Sequence, residues 1–111
     1  TSQGDVEIMN SVTLIGRLTT DLEMYHNIEK GTVVGKFRIA VDNKDKEKTT
    51  EFINIVAFNK VAELLKEYTK KGDLLALRGR LHNAQYVKDD IKRTKTEVLI
   101  EDFTFIQPKQ W

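Results

Sequence analysis

Three aromatic residues, Phe52, Phe58 and Tyr86, fall on strand parities opposite to the residues that would line a core. Phe52, Asn54, Val56 and Phe58 alternate with Ile53, Ile55 and Ala57. Tyr86 shares its parity with Arg78, Arg80 and His82, and Lys36 and Arg38 alternate with Phe37 and Ile39. Rings and cations on one outward surface suit an unpaired nucleic-acid strand. Every base has a π face, so stacking tolerates any sequence and contributes about 1–3 kcal/mol per base, while cations track the phosphates in a salt-dependent way. An outward Phe can instead be covered by a helix, a subunit interface or a second layer of strands. The pattern leaves Phe52 and Phe58 open between these readings. Tyr86 leads into a hairpin and is expected to be exposed.

Catalytic chemistry finds no footing. A thiol nucleophile is excluded because the chain has no cysteine. His26 and His82 lie in polar segments with no partner motif and read as solvated surface histidines. They lack the i, i+4 helical spacing of a two-histidine metal site. Asp42, Asp45 and Glu47 resemble a calcium loop only loosely, because the turn glycine and closing glutamate are missing. No glycine-rich phosphate loop occurs. No enzymatic activity, cofactor or metal ion is expected.

The elements that must hold the aromatic and basic residues follow from periodicity. A first strand starts at Asn10, with Val12, Leu14 and Leu18 on one side, Thr13, Ile15 and Arg17 on the other, and Gly16 suggesting a bulge or sharp bend. Thr19 to Met24 reads as a polar connection and Glu29-Lys30-Gly31 as a turn. The second strand sets Val33, Gly35, Phe37, Ile39 and Val41 inward. The polar stretch Asp42 to Thr50, with Lys44, Lys46 and Lys48, is a solvated loop or hairpin tip, and Glu51 to Phe58 is the third strand. Val61, Leu64, Leu65 and Tyr68 then keep the i, i+3, i+4, i+7 spacing of an amphipathic helix. Asn59 is expected to cap that helix, Gly72 to stop it, and Lys66, Lys70 and Lys71 to favour its negative end. A fourth strand follows from Asp73, with Leu75, Leu77 and Leu81 on one parity. Lys88 to Arg93 reads as a polar hairpin tip, and Thr94 to Ile106 as the last strand. A change of parity after Ile100 implies a bulge near Glu101. Phe37, Phe103, Phe105 and Tyr68 are expected in the core. The order is three strands, one helix and two strands: an all-β chain with one helix, arranged as a five-stranded oligonucleotide-binding (OB) barrel with long hairpins and its helix between strands three and four.

Size and composition agree. The 111 residues suit one domain, with 40% hydrophobic and 32% charged residues. The lack of cysteine fits a reducing cytosol. No apolar run approaches the roughly 20 residues that span a membrane, and no signal peptide is visible. The net charge is only +1, from 18 Lys and Arg against 17 Asp and Glu, so a nucleic-acid binder must segregate its cations onto one surface. Met9 looks like a native start. Residues 1–8 read as a tag remnant or disordered extension, 9–108 as the OB domain, and 109–111 as a C-terminal end in which Trp111 is frayed.

Several segments then resemble one family in order. Asn10-Ser-Val-Thr-Leu-Ile-Gly-Arg-Leu18 is similar to the opening strand of bacterial and phage single-stranded-DNA-binding proteins. Glu51-Phe-Ile-Asn-Ile-Val-Ala-Phe-Asn-Lys-Val-Ala-Glu63 resembles their third strand and helix start. Tyr68-Thr-Lys-Lys-Gly72, Arg78-Gly-Arg-Leu81, Thr96-Glu-Val98 and Phe105-Ile-Gln-Pro108 continue the likeness across Met9 to Pro108. The resemblance implies sequence-independent binding and protection of single-stranded DNA in replication, recombination and repair. It implies base stacking at Phe52, Phe58 and Tyr86 and phosphate contacts at Lys60 and Lys71, beside the outward cations Lys36, Arg38, Arg78 and Arg80. It also implies a homo-oligomer, a homotetramer in common members, with the outer face of the first strand as a contact, and a cytoplasmic location in a bacterial nucleoid or phage-infected cell.

Some positions depart from the family. Asp42-Asn43-Lys44 lacks the aromatic often found near the end of the second strand. His82-Asn-Ala-Gln85 replaces a basic cluster, for which Arg78 and Arg80 are expected to compensate. The acidic-tipped tail that recruits replication and repair proteins is missing, as in a truncated chain or a tail-less phage, plasmid or accessory version. Two other readings stay open: an OB protein-interaction module of a primosome with weak nucleic-acid binding, and an RNA-binding barrel, since stacking does not test for a 2′-hydroxyl.

Overall fold

A computed structural model describes residues 9–106. The expectations for residues 1–8, and for Pro108 and Trp111, lie outside the described residues. Six strands and one helix follow in the order β1 (Val12–Leu18), β2 (Glu23–Asn27), β3 (Thr32–Asp42), β4 (Thr50–Phe58), α1 (Asn59–Tyr68), β5 (Leu74–Lys88) and β6 (Ile91–Phe105). They form one sheet in the order β1-β5-β6-β4-β3-β2, and a further pairing of β1 with β3 closes five of the strands into a ring. All pairs are antiparallel except β4–β6. This arrangement is consistent with the OB fold, with its helix after the strand that ends at Phe58. The sixth strand, β2, corrects the reading of Thr19 to Met24 as a plain connection. It pairs with the first half of β3, and β1 takes over the same edge at Arg17–Ala40 and Leu18–Ile39.

Alternation decides what goes inside. The core comprises Leu18, Leu22, Phe37, Ile39, Ile55, Ala57, Leu75, Leu77, Val98 and Ile100, closed by Ala62 and Leu65 of α1. On β4 the question of which apolar face lines the ring is resolved for Ile55 and Ala57. Val56, on the other parity, is buried against its neighbours on the outer surface.

Other positions depart from expectation for identifiable reasons. Gly16 makes no bulge, because β1 runs in unbroken register against β5 from Val12–Gly79 to Arg17–Leu74. It serves close approach: a Cβ there would lie 2.6 Å from the Ala40 carbonyl oxygen, at the seam where β1 meets β3. The bulge does occur at Glu101, skipped between the pairs Gly79–Ile100 and Arg78–Asp102. Leu81 is exposed, as are Tyr68 and Phe105. Tyr68 and Phe105 pack edge-on outside the core with ring centroids 6.3 Å apart, and Phe105 meets the half-buried Phe103 at 5.3 Å. The β5–β6 ladder runs on to Lys88–Ile91, so the hairpin tip shrinks to Asp89-Asp90, both with positive φ as a tight two-residue turn requires.

Asn59 does not cap α1 through its side chain. Phe58 occupies the N-cap position with no side-chain bond. Asn59 adopts φ 50°, and its Oδ1 accepts the Val33 backbone N–H at 3.0 Å, tying the helix start to β3. The helix ends at Tyr68 with Thr69 as its C-cap, so Gly72, and Lys70 and Lys71 with it, belong to the following turn. Asparagine tolerates the left-handed region that other side chains enter at about 1–2 kcal/mol. Asn59→Ala is therefore expected to cost about 2 kcal/mol, combining that strain with one lost hydrogen bond. Asn59→Gly, which keeps the backbone freedom, should cost about half as much. Urea midpoints of the three proteins check the ordering.

Candidate nucleic-acid interface

The outer surface of the ring gathers the outward residues in rows set by strand register. Phe52 lies opposite Ala40, Asn54 opposite Arg38, Val56 opposite Lys36 and Phe58 opposite Val34. The rows extend to both sides. Glu23 of β2 faces Lys36 and Tyr25 faces Val34, while Val56 meets Leu99 of β6, itself opposite Arg80 of β5. A continuous outer surface thus runs from β2 through β3, β4 and β6 to β5. Phe52 and Phe58 are 61% and 46% exposed, neither covered by α1 nor folded inward. Six residues of strand set them roughly 20 Å apart.

Arg38 donates from Nε to Asn54 Oδ1 at 3.2 Å, which holds its guanidinium between the two phenylalanines. Lys36 sits with its Nζ 5.6 Å from the Tyr25 ring centroid. The Tyr25 hydroxyl donates to Glu23 Oε2 at 2.8 Å, and this bond, reinforced by the carboxylate charge, raises the phenol pKa above its ordinary value. Thr19, Thr20, Glu23, Tyr25, Lys36, Arg38 and Lys95 line a groove of about 400 Å³ on this surface. Lys95 is one residue of a basic run, Lys92-Arg93-Thr94-Lys95, on the first half of β6.

Tyr86, 44% exposed, stands apart. The β4–β6 ladder is confined to Ile55–Val98 and Val56–Leu99, so the distal β5–β6 hairpin leaves the ring as a two-stranded arm, with Tyr86 opposite Arg93. The other cations divide. Lys60 is exposed in the first turn of α1, two residues from Phe58. Arg80 reaches Glu101 at 3.5 Å and Arg78 reaches Asp102 at 3.7 Å, so both carry a carboxylate partner. Arg78 lies opposite Thr13 of β1, on the far flank of β5. Lys71 sits in the turn after α1, where its backbone N–H donates to Asp21 Oδ1 at 2.7 Å. The structure does not bring Lys71 into the rows around Phe52 and Phe58. Glu97, opposite His82, is a buried carboxylate in the same surface. Among the described residues, no three His, Asp or Glu side chains cluster to hold a metal ion.

A model of the single-strand binding protein family matches residues 9–106. This chain belongs to that family. The chain is similar to a single-stranded DNA-binding protein of Clostridium perfringens, 39% identical over 99 residues, which cover 88% of this chain and 66% of that protein. A second is single-stranded DNA-binding protein 2 of Staphylococcus aureus, 38% identical over 107 residues, 92% of this chain and 75% of that one. A third is a Bacillus cereus protein of the same description, 39% identical, of which the match covers 62%. The chain thus spans between three fifths and three quarters of these relatives' length.

Two residues in the site escape a reading of the family's motifs. Tyr25 lies on β2, a strand of five residues with Met24 as its one half-buried apolar member. The turn at Glu29-Lys30-Gly31 was its signal, since a hairpin turn needs a strand on both sides. Lys95 was visible in the basic run, but its position beside Arg38 depends on the parallel β4–β6 pairing, which no local pattern specifies.

Proposed function

We propose that this chain binds single-stranded DNA without sequence preference, through the outer surface of β3 and β4 with contributions from β6 and the β5–β6 arm. The observation that carries this is the exposure of Phe52 and Phe58 on either side of Arg38 and Asn54, with Lys36 in the next row. Phe52, Phe58 and Tyr86 stack on bases; Lys36, Arg38 and Lys60 contact phosphates. Arg80, tied to Glu101, acts only where a phosphate competes for it. Arg78 and Lys71 contribute to the general field. The names of the relatives support the same ligand. The role is binding and protection of the strand during replication, recombination and repair, without a chemical step, in the cytoplasm where bacterial or phage DNA lies. Ile15, exposed on the outer face of β1 between Thr13 and Arg17, supports self-association there, in a homotetramer.

Fluorescence anisotropy of a labelled oligothymidine at two salt concentrations, with unlabelled duplex as competitor, tests this reading. Tight binding that salt weakens and duplex does not displace is expected; no binding at low salt would sink it. The cations give a second expectation. Each phosphate contact on a single strand contributes about 0.7 to the slope of log Kobs against log salt. Lys36→Gln with Arg38→Gln should therefore flatten the slope by roughly 1.4. An unchanged slope would place the phosphates elsewhere.

A further inference from the structure

The groove beside Tyr25 lies outside the row of aromatics that the family's motifs supply, yet it is continuous with them. Tyr25, Val34 and Phe58 are directly opposed across β2, β3 and β4. Neighbouring strands are about 4.8 Å apart, so the two rings stand roughly 10 Å from each other on one surface. Tyr25 is 50% exposed. Its hydroxyl is anchored to Glu23 and one side of its ring faces Lys36, which fixes its orientation. Lys36, Arg38 and Lys95 bring three cations to the groove against the single carboxylate of Glu23.

We propose that this groove is an additional nucleotide subsite, in which Tyr25 stacks one base of the bound strand and Lys95 and Lys36 hold the adjoining phosphate. The inference rests on the single-strand reading above and extends it by one position, from Phe58 across β3 onto β2. The occupant is a nucleotide because the groove combines an exposed ring with an excess of positive charge and runs directly into the proposed strand path. A cation over an exposed ring is weakly held. An arriving phosphate therefore draws the Lys36 ammonium away and leaves the ring face to the base. Thr20 at the rim offers a hydroxyl to the sugar-phosphate edge, while the neighbouring Thr19 hydroxyl donates to the Arg38 carbonyl oxygen at 3.0 Å.

The test uses the full chain and oligothymidine carrying 5-iododeoxyuridine, with ultraviolet cross-linking and peptide mapping. An adduct on Tyr25 is expected, together with adducts on Phe52 or Phe58. Tyr25→Ala should weaken oligothymidine binding by roughly 5- to 150-fold, the range of one lost stacking contact. Tyr25→Phe should bind nearly as wild type, because the ring and not the hydroxyl is used. Lys95→Gln should weaken binding and flatten its salt slope by about 0.7. Thermal melting shows whether each variant is folded, and the wild-type adduct decides the matter should Tyr25→Ala fail to fold. If Phe58→Ala weakens binding while Tyr25→Ala and Lys95→Gln do not, and no adduct forms on Tyr25, the subsite is wrong and the single-strand reading stands. If the wild-type chain binds no oligothymidine, both fall. A Tyr25→Ala chain that sediments as a smaller species with unchanged DNA affinity would assign the groove to a second copy of the chain and overturn the subsite.

Discussion

Phe52→Ala and Phe58→Ala are each expected to weaken oligothymidine binding by roughly 5- to 150-fold, through loss of about 1–3 kcal/mol of stacking. Combined, they should cost about 2–6 kcal/mol, because sites more than about 10 Å apart add and these rings are separated by six residues of strand. The size of the effect follows from exposure. Both rings already face solvent, so truncating them removes little packing, and each variant should melt within about 0.5 kcal/mol of wild type. Neither substitution removes a cation, so the slope of log affinity against log salt should stay as it is while the whole curve shifts. This combination separates stacking from its rivals. A ring covered by a subunit would, when truncated, change the assembly and the melting temperature before it changed the affinity. Anisotropy at two salt concentrations, beside sedimentation and thermal melting of the same samples, reads all three. Binding as tight as wild type in the double variant would remove the β4 face from the strand path.

How much of this face was legible depended on how local its cause is. β3 and β4 alternate over many residues, so the inward set of Phe37, Ile39, Ile55 and Ala57 and the outward set of Phe52, Asn54 and Phe58 follow from period two alone. The parity change after Ile100 located the bulge at Glu101 for the same reason. β2 was hidden because it has almost no apolar pattern: it is a strand only through its pairing with one half of the β3 edge. The arm of β5 and β6 is longer than its local pattern suggests for a related reason. Both its faces are solvated, so its strands carry no inward period, and the ladder with its two-residue turn maintains them. Helical spacing placed Tyr68 inward, but α1 buries only Ala62 and Leu65, and Tyr68 is left against Phe105 beyond the end of the core. The residue type of Asn59 suits a helix cap. Its side chain instead answers a long-range demand, the N–H of Val33, that local sequence does not reveal. The ionic partners of Arg78 and Arg80 depend on the bulge that brings Glu101 and Asp102 alongside β5, a placement that spacing along either strand alone does not give.

Gly79→Val is expected to be the most damaging single change to the fold. Gly79 pairs with Val12 on one side and with Ile100 on the other, beside the skipped Glu101, and a Cβ at this position would run into the backbone carbonyl of Leu99. That obstacle is main chain within the ring, so no rotamer relieves it, and β5 must separate from β6 at the bulge. Overpacking costs about 1–3 kcal/mol when side chains can adjust, and a backbone clash belongs at or above the top of that range. At about 4–8 °C per kcal/mol for a domain near this size, the melting temperature should fall by more than roughly 12 °C. Gln85→Val, an equally β-branched substitution at an exposed position of the same strand, should change stability by no more than about 0.5 kcal/mol. The consequence reaches the ligand face as well. Leu99 stands in the outer row that joins Lys36 and Val56 to Arg80, so a shifted Leu99 carbonyl displaces β6 from β4 and Lys95 from the groove. Below its melting temperature, folded Gly79→Val should therefore bind oligothymidine more weakly than wild type, although Gly79 has no side chain to touch DNA. Calorimetry paired with anisotropy at low temperature reads both effects. A Gly79→Val chain that melts like wild type would show that β5 and β6 can separate here at little cost, and that the close approach at the bulge does not hold the face in register.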